Sequence, residues 1–265
     1  MKLVAYLFAL LIASGCAPNQ TNPIANAENG NTPQEQILKQ TLARYPDSAL
    51  ALQNLVGYYA NMQNYTAALA TVNAALQKDS ANANLWDLQS IVALQKGDTT
   101  LATQALENAI TLLPLPEYLI SLGELYAQIG NAQAIIIADA LLSSPKANSA
   151  KEAYFIKGIY YSYSNDKPKA ITYFDKAMQV DYNFIQAYVE KALALYDLAK
   201  YQLAANTLET AIKVKNSYDL SYYYLGKCYE KLNRPQEALE MYNTVLQLNP
   251  DDEDAKDALS RLGVK

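Results

Sequence analysis

Apolar residues return along most of this 265-residue chain at helical spacing, and the whole pattern repeats every 34 residues. The aligned rows are Tyr154, Tyr188 and Tyr222; Tyr161, Leu195 and Tyr229; Ala170, Ala204 and Ala238; and Phe174, Leu208 and Tyr242. Within each copy, apolar residues three or four positions apart share one helix face. A unit copied at this interval predicts an all-α solenoid whose repeats contact only their neighbours. Such stacks usually present a surface to partners.

The last copy shows how each unit folds. Leu225 and Tyr229 lie four residues apart on one face of a first helix, while Gly226 allows a second helix to approach closely. Ala238 is small where the two helices cross. Pro235 suits the first turn of the second helix, where its missing N–H is not needed. The pattern therefore predicts two antiparallel helices in each copy.

This unit resembles the tetratricopeptide repeat, a family of helix–turn–helix repeats. The residues that carry the resemblance are Tyr222, Leu225, Gly226, Tyr229, Ala238, Tyr242 and Pro250. One copy departs from the family pattern, because Lys191 and Ala192 stand where Leu-Gly is expected. The resemblance implies an α-solenoid of about six repeats in a right-handed superhelix, with a peptide-binding concave groove.

The repeats divide the chain as follows. Six full repeats are expected over residues 49–82, 83–115, 116–150, 151–184, 185–218 and 219–252. A partial repeat helix is expected over 34–48 and a polar capping helix over 253–265, since a solenoid needs its apolar ends covered.

The resemblance also implies which residues face a partner, since five positions of each first helix line the groove in the family. In the later repeats these positions give the predicted groove set: Phe155, Ile159, Tyr163, Val189, Leu193, Tyr196, Tyr223, Lys227 and Lys231. In the earlier repeats they are polar and weakly acidic: Gln53, Asn61, Asp87, Gln95, Glu124 and Gln128. Tyrosine combines a large apolar face with a hydroxyl, which suits binding hot spots. The alternative is that these aromatic residues cover neighbouring repeats or thicken the core.

Basic residues are sparse in this set. Family members that dock carboxylate-bearing tails hold them with several basic and amide side chains, whereas only Lys227 and Lys231 are basic here. Acidic tails are therefore not the expected ligand.

The N-terminus resembles a bacterial lipoprotein signal. Lys2 precedes an apolar run from Leu3 to Ile12, and small residues lead to Cys16. Ten helical residues span about 15 Å, roughly half of a bilayer core, so a permanent transmembrane helix is not expected. We expect a signal peptide over 1–15 and lipidation of Cys16. Ala13 stands where the family usually has Leu, and ordinary signal peptidase cleavage, leaving a soluble secreted protein, is the alternative.

A polar segment follows the lipidation position. Residues 16–33 are rich in Asn, Pro and Gly, which predicts a disordered tether with a reach of roughly 20 to 25 Å. By resemblance to lipoprotein sorting rules, the absence of Asp after Cys16 favours the outer membrane, facing the periplasm.

Composition narrows the chemistry. The chain has no histidine and two cysteines, which removes Ser/His/Asp and Cys/His catalysis and the commonest zinc ligand. The 21 basic residues are scattered among 26 acidic ones, so nucleic-acid binding is disfavoured. Cys228 is expected to be a buried, inert thiol. The acidic residues 251–254 lack a calcium loop's glycine and distal glutamate and suit a helix N-terminus. We expect no metal, cofactor, catalytic residue or small-molecule substrate.

The sequence thus predicts a non-enzymatic adaptor of the bacterial cell envelope, anchored by lipid, that binds an envelope protein in its groove. Lipoproteins of similar construction include adaptors for peptidoglycan hydrolases, a subunit of the outer-membrane β-barrel assembly machine, and pilotins for secretins. Two other classes stay open. One is a cell-wall hydrolase, for which no catalytic constellation is found, and the other is a structural component that stacks into a homo-oligomer.

Overall fold

The computed structural model describes residues 32–144 and 148–263. The predicted signal peptide, Cys16 and all but the end of the tether lie outside the described residues. Within those residues every regular element is helical. The fourteen helices are α1 (Pro33–Arg44), α2 (Ala49–Asn61), α3 (Tyr65–Lys78), α4 (Ala83–Lys96), α5 (Thr99–Leu112), α6 (Pro116–Gln128), α7 (Gln133–Ser143), α8 (Ala150–Tyr163), α9 (Lys167–Val180), α10 (Ile185–Asp197), α11 (Tyr201–Val214), α12 (Asp219–Lys231), α13 (Pro235–Leu248) and α14 (Glu253–Arg261).

The chain forms two compact units, one up to Tyr118 and the other from Leu119 onward. In the first unit, each helix from α1 to α5 packs against the next. Its core contains Leu52, Leu55, Val56, Val72 and Val92.

The second unit contains α7 to α14, and each of these helices packs against its successor. The first helices of neighbouring repeats also touch directly, α8 against α10 and α10 against α12. The core of its C-terminal region contains Leu195, Leu208, Leu225, Tyr229 and Tyr242. Packing between sequence neighbours is what a repeat array requires.

Each turn inside a repeat is closed by one left-handed residue. These residues are Gln63, Gly97, Gly130, Asn165, Ala199 and Asn233, with φ between 56° and 82°. All of them follow the 34-residue step except Gly130, which falls one residue early. The residue after each one donates its N–H back to the first helix, as Asp98 does to the Ala93 carbonyl at 2.8 Å. This geometry satisfies carbonyls that the helix end leaves open.

Glycine in the first helix permits the close packing of the pair. A Cβ on Gly226 would lie 2.8 Å from Cε1 of Tyr242, and a Cβ on Gly158 would collide with the ring of Phe174. Both aromatic side chains are fully buried. The predicted role of Gly226 is therefore confirmed, and Gly158 has the same role in a repeat nearer the N-terminus.

The lysine that departs from the family pattern forms an ion pair between repeats. Nζ of Lys191 on α10 lies 2.7 Å from Oδ1 of Asp175 on α9. Lys157 occupies the same repeat position on α8, and its Nζ lies 2.5 Å from Oδ1 of Asp139 on α7. The side chain of Lys157 is only 11% exposed. A lysine at an apolar position is thus matched by an aspartate on the preceding second helix.

The C-terminal acidic residues begin helix α14. The side chain of Asp252 accepts a hydrogen bond from the N–H of Ala255 at 2.7 Å, and Glu253 and Asp254 lie in the first turn. Carboxylates at this end of a helix interact favourably with its dipole. The interpretation of this stretch as a helix start is confirmed.

Cys228 lies in the core of the second unit. Its thiol is free and 1% exposed, and burial raises its pKa to about 12. The thiolate is the reactive form, so this cysteine is inert at neutral pH.

Across the two described stretches, the model contains no helix with the length and apolar character needed to cross a membrane.

Candidate partner-binding face

Three members of the predicted groove set lie in the core. Phe155 and Ile159 are 1% exposed and Val189 is 4% exposed. The ring of Phe155 packs against Phe174 and Phe184, with centroids 5.8 and 5.0 Å apart. The assignment of these three residues as partner contacts is corrected by this burial. Phe155 and both of its ring partners belong to one repeat, so this ring thickens the core, as the alternative interpretation held for the aromatic side chains.

The other six members reach the surface of the second unit. They lie on α8, α10 and α12, the first helices of three successive repeats, and we call this surface the first-helix face. Its residues are Tyr163, Leu193, Tyr196, Tyr223, Lys227 and Lys231. Tyr163 is 46% exposed, Lys231 is exposed, and the other four are half-buried. Their role in binding stays a prediction.

Lys227 organises one end of this face. Its ammonium group lies 5.8 Å from the ring centroid of Tyr196 and 5.6 Å from those of Tyr223 and Tyr224. A cation held over aromatic faces at this distance is attracted by their quadrupoles. The lysine therefore keeps the three rings together at the surface.

An open depression adjoins these rings. It is lined by Tyr196, Lys227, Lys231, Glu230 and Arg261. Oε1 of Glu230 accepts a hydrogen bond from the Tyr242 hydroxyl at 2.5 Å and one from Nη2 of Arg261 at 2.7 Å. Three predicted groove residues are thus brought together, and Glu230 and Arg261 join them.

Buried carboxylates lie beneath the same face. Glu190 on α10 is 9% exposed, and it forms neither a hydrogen bond nor an ion pair with any described residue. Burial raises its pKa from 4.5 to about 7, although the positive charge of Lys167 partly opposes the rise. Lys167 itself is bound elsewhere, with Nζ 2.6 Å from Oδ2 of Asp197.

Two further glutamates add to the negative charge. Burial raises the pKa of Glu124 on α6 to about 7, and the charges of Glu152 and Glu190 raise it further. One oxygen of Glu152, Oε2, is buried without a hydrogen-bond partner among the described residues. Its other oxygen lies 3.8 Å from Nζ of Lys151. Carboxylates on the next two first helices therefore act on Glu124.

Tyrosines from both neighbouring helices lie within electrostatic range of Glu190. Burial raises the pKa values of Tyr163, Tyr218 and Tyr224, and the charge of Glu190 raises them further. Tyr163 is half exposed, so the carboxylate lies near the edge of the solvent-accessible face.

The sequence analysis included Glu124 among the groove positions but missed Glu190 and Glu152. Glu190 occupies a position beside the family's groove positions, inside the apolar stretch `AYVEKALALY`. Two adjacent charges inside such a stretch, Glu190 and Lys191, were the signal available, since charged side chains are rarely buried without a partner.

Within residues 32–144 and 148–263, no group of three or more acidic or cysteine side chains is arranged to hold a metal ion.

Comparison with protein families identifies the repeats. Models of the tetratricopeptide repeat match residues 151–184, 185–218 and 220–252. The chain therefore contains tetratricopeptide repeats, as the spacing of its tyrosine, glycine and alanine rows predicted. Tetratricopeptide repeats typically form scaffolds for protein–protein interaction.

Two curated relatives match at low identity. Stress-induced-phosphoprotein 1 of Caenorhabditis elegans is 25% identical over 168 residues, which are 63% of this chain and 50% of that protein. A TPR repeat-containing protein of Methanocaldococcus jannaschii is 24% identical over 201 residues, which are 72% of this chain and 35% of that protein. The match thus spans about half or less of each relative.

Solved structures support the fold. A tetratricopeptide repeat protein from Parabacteroides merdae aligns with a TM-score of 0.70 and 18% identity, over 86% of this chain and 90% of that one. PilW, described as a widely conserved type IV pilus biogenesis factor, aligns with a TM-score of 0.61 and 19% identity, over 78% and 96%. Because the sequence identities are only 18% and 19%, the similarity shows a shared fold and nothing more. The predicted class, an all-α solenoid of helix–turn–helix repeats, is confirmed.

Proposed function

We propose that this protein is a non-enzymatic adaptor of the bacterial cell envelope, held to the outer membrane by lipid on Cys16. Its first-helix face binds a peptide or helix of an envelope protein. The observation that carries the proposal is the row of accessible tyrosines on three successive first helices, Tyr163, Tyr196 and Tyr223. Tyrosine at such positions offers contact area at low entropic cost.

The electrostatics of the face support a protein ligand. It combines aromatic rings with Lys227, Lys231 and Arg261 at one end and buried carboxylates at the other. A mixed surface of this kind selects a partner by complementary charge as well as by apolar contact.

The binding role is tested with a triple variant in which Tyr163, Tyr196 and Tyr223 are changed to alanine. Each change should weaken partner binding by over about 1 kcal/mol, the usual threshold for a hot-spot residue. The assay is affinity purification from membranes with quantification of co-purified proteins. Far-UV circular dichroism of the purified variant should match that of the parent.

A control variant carries alanine at Tyr45 and Tyr182, which are 54% and 60% exposed and lie outside the first-helix face. It should recover the same partners as the parent. If the triple variant also recovers them at parental levels, the binding face has been assigned to the wrong residues.

The anchor is tested separately by changing Cys16 to serine. The parent should sediment with membranes, and mass spectrometry should find acyl groups on its N-terminal cysteine. The variant should be released into the soluble fraction. An unacylated mature N-terminus in the parent would contradict the anchor and leave the binding role untouched.

A further inference from the structure

We propose that the first-helix face of the second unit binds its partner through a lysine or arginine side chain, whose cation lies against Glu190. This inference rests on the proposed function and specifies the chemistry of the bound segment. It assigns a recognition role to a carboxylate that the fold does not otherwise use.

The first argument is the unpaired state of Glu190. The residue is nine-tenths buried, and none of the ion pairs of the described chain includes its carboxylate, whose oxygens are not completely shielded from solvent. Burying an ionised carboxylate without a partner is strongly unfavourable. Lys167, whose charge acts on Glu190, is bound to Asp197 at 2.6 Å and to Oγ of Ser162 at 3.1 Å. A cation from outside the chain would supply the missing partner.

The second argument is the accumulation of negative charge around it. Glu124 and Glu152 interact electrostatically within the same unit, and Glu190 contributes to the same field. Oε2 of Glu152 is buried and accepts no hydrogen bond from the described residues. Like charges held together in a poorly solvated place repel one another. A cation bound beside Glu190 would offset part of the negative charge that acts on Glu124.

The third argument is the aromatic surround. Tyr163 contributes a half-exposed ring, and Tyr218 and Tyr224 are also within range of Glu190. Cations bind over tyrosine faces, and the same unit already holds Lys227 over three rings. An acidic group with tyrosine walls suits an organic cation.

The shape of the opening favours a side chain that is long and apolar up to its charge. Only 9% of Glu190 is exposed, so a ligand must be slender to reach its carboxylate. Lysine and arginine carry their charge on an aliphatic stem that packs along apolar surface. Arginine adds five N–H donors, which can satisfy more than one carboxylate oxygen.

The test starts from a random library of displayed 12-residue peptides, selected on the purified full chain and in parallel on a Glu190→Gln variant. The parent should enrich peptides that share one lysine or arginine position. The Glu190→Gln selection should lose that position. An enriched peptide is then synthesised with a fluorophore, and its binding is measured by anisotropy.

Two substitutions should have the same effect on that peptide. Glu190→Gln in the protein should weaken binding at least tenfold. Replacing the peptide lysine by norleucine, or its arginine by citrulline, should also weaken binding at least tenfold, because each removes only the charge. Combining the two changes should weaken binding little further, since both remove one interaction. Glu240→Gln, on an exposed side of α13, should bind like the parent.

The outcomes separate this inference from the proposed function. Enrichment of peptides without a shared basic position, or equal binding by the parent and Glu190→Gln, would overturn the cation site while the adaptor role stands. Failure of the parent to enrich any peptide would overturn both. Thermal melting of Glu190→Gln shows whether it is folded, and no loss of stability is expected because the variant removes a buried charge.

Discussion

Glu190 should make the stability of the second unit fall as pH rises. Its pKa is raised to about 7 in the folded chain, chiefly by burial. The folded state therefore binds a proton more tightly than the unfolded state, whose carboxyl has its ordinary pKa of 4.5. Between these values the free energy of unfolding must decrease with pH. The stability associated with the neutral carboxyl is present below pH 4.5 and is lost as pH rises through about 7.

The size of the effect follows from the rise in pKa. Each pH unit corresponds to about 1.4 kcal/mol, so a rise from 4.5 to about 7 amounts to about 3 kcal/mol at pH 8. Glu190→Gln keeps a neutral, similarly shaped side chain at every pH. It also removes one of the charges that raise the pKa of Glu124. The variant should therefore be more stable than the parent by under about 1 kcal/mol at pH 5 and by about 3 kcal/mol at pH 8.

Urea unfolding at pH 5, 6, 7 and 8, followed by far-UV circular dichroism, measures this difference. Urea is uncharged and therefore does not screen electrostatic interactions. The midpoint urea concentration reports stability when the slope of unfolding free energy against urea concentration is unchanged. Glu240→Gln is the control, because this carboxylate is exposed and should show no gain at any pH. A Glu190→Gln variant that is no more stable than the parent at pH 8 would refute the claim that an ionised carboxylate is buried there without a partner.

Two other predictions concern packing in the folded chain. Gly158→Ala should lower the free energy of unfolding by about 1 to 3 kcal/mol, because its Cβ would collide with Phe174. A Cβ at Gly57 on α2 would meet nothing within 4 Å, so Gly57→Ala should raise the free energy of unfolding by roughly 0.5 to 1 kcal/mol. Urea titrations of both variants measure these changes. Cys16→Ser leaves Cys228 as the single thiol of the chain, and this thiol should fail to react with a thiol reagent at pH 8 until urea unfolds the protein. Immediate reaction in the absence of urea would contradict the burial of Cys228.

The period of the sequence was sufficient to predict the helices. Rows of tyrosine and alanine at a 34-residue step identify residues that pack in the same way in every repeat. The step even extends to the left-handed turn residues, such as Gln63, Gly97 and Asn165. The helices and turns depend on residues close together in the sequence, so the spacing within a repeat is sufficient to predict them.

The binding face was predicted less well, because position in a repeat does not distinguish a residue facing solvent from one facing the next repeat. Phe155, Ile159 and Val189 occupy groove positions of the family, but large apolar side chains at these positions are buried by the neighbouring helices. Glu190 was missed for the converse reason. Its burial depends on residues from adjacent repeats, which no single repeat reveals.

Two ion pairs, Lys157 with Asp139 and Lys191 with Asp175, make particular repeats suited to each other as neighbours. Each lysine is paired with an aspartate on the second helix of the preceding repeat. The last repeat has Leu225 at the corresponding position and makes no such demand on its predecessor. Repeats of this chain are therefore not interchangeable. A changed order would leave a lysine at a junction without its aspartate, so these charges constrain the order of the repeats.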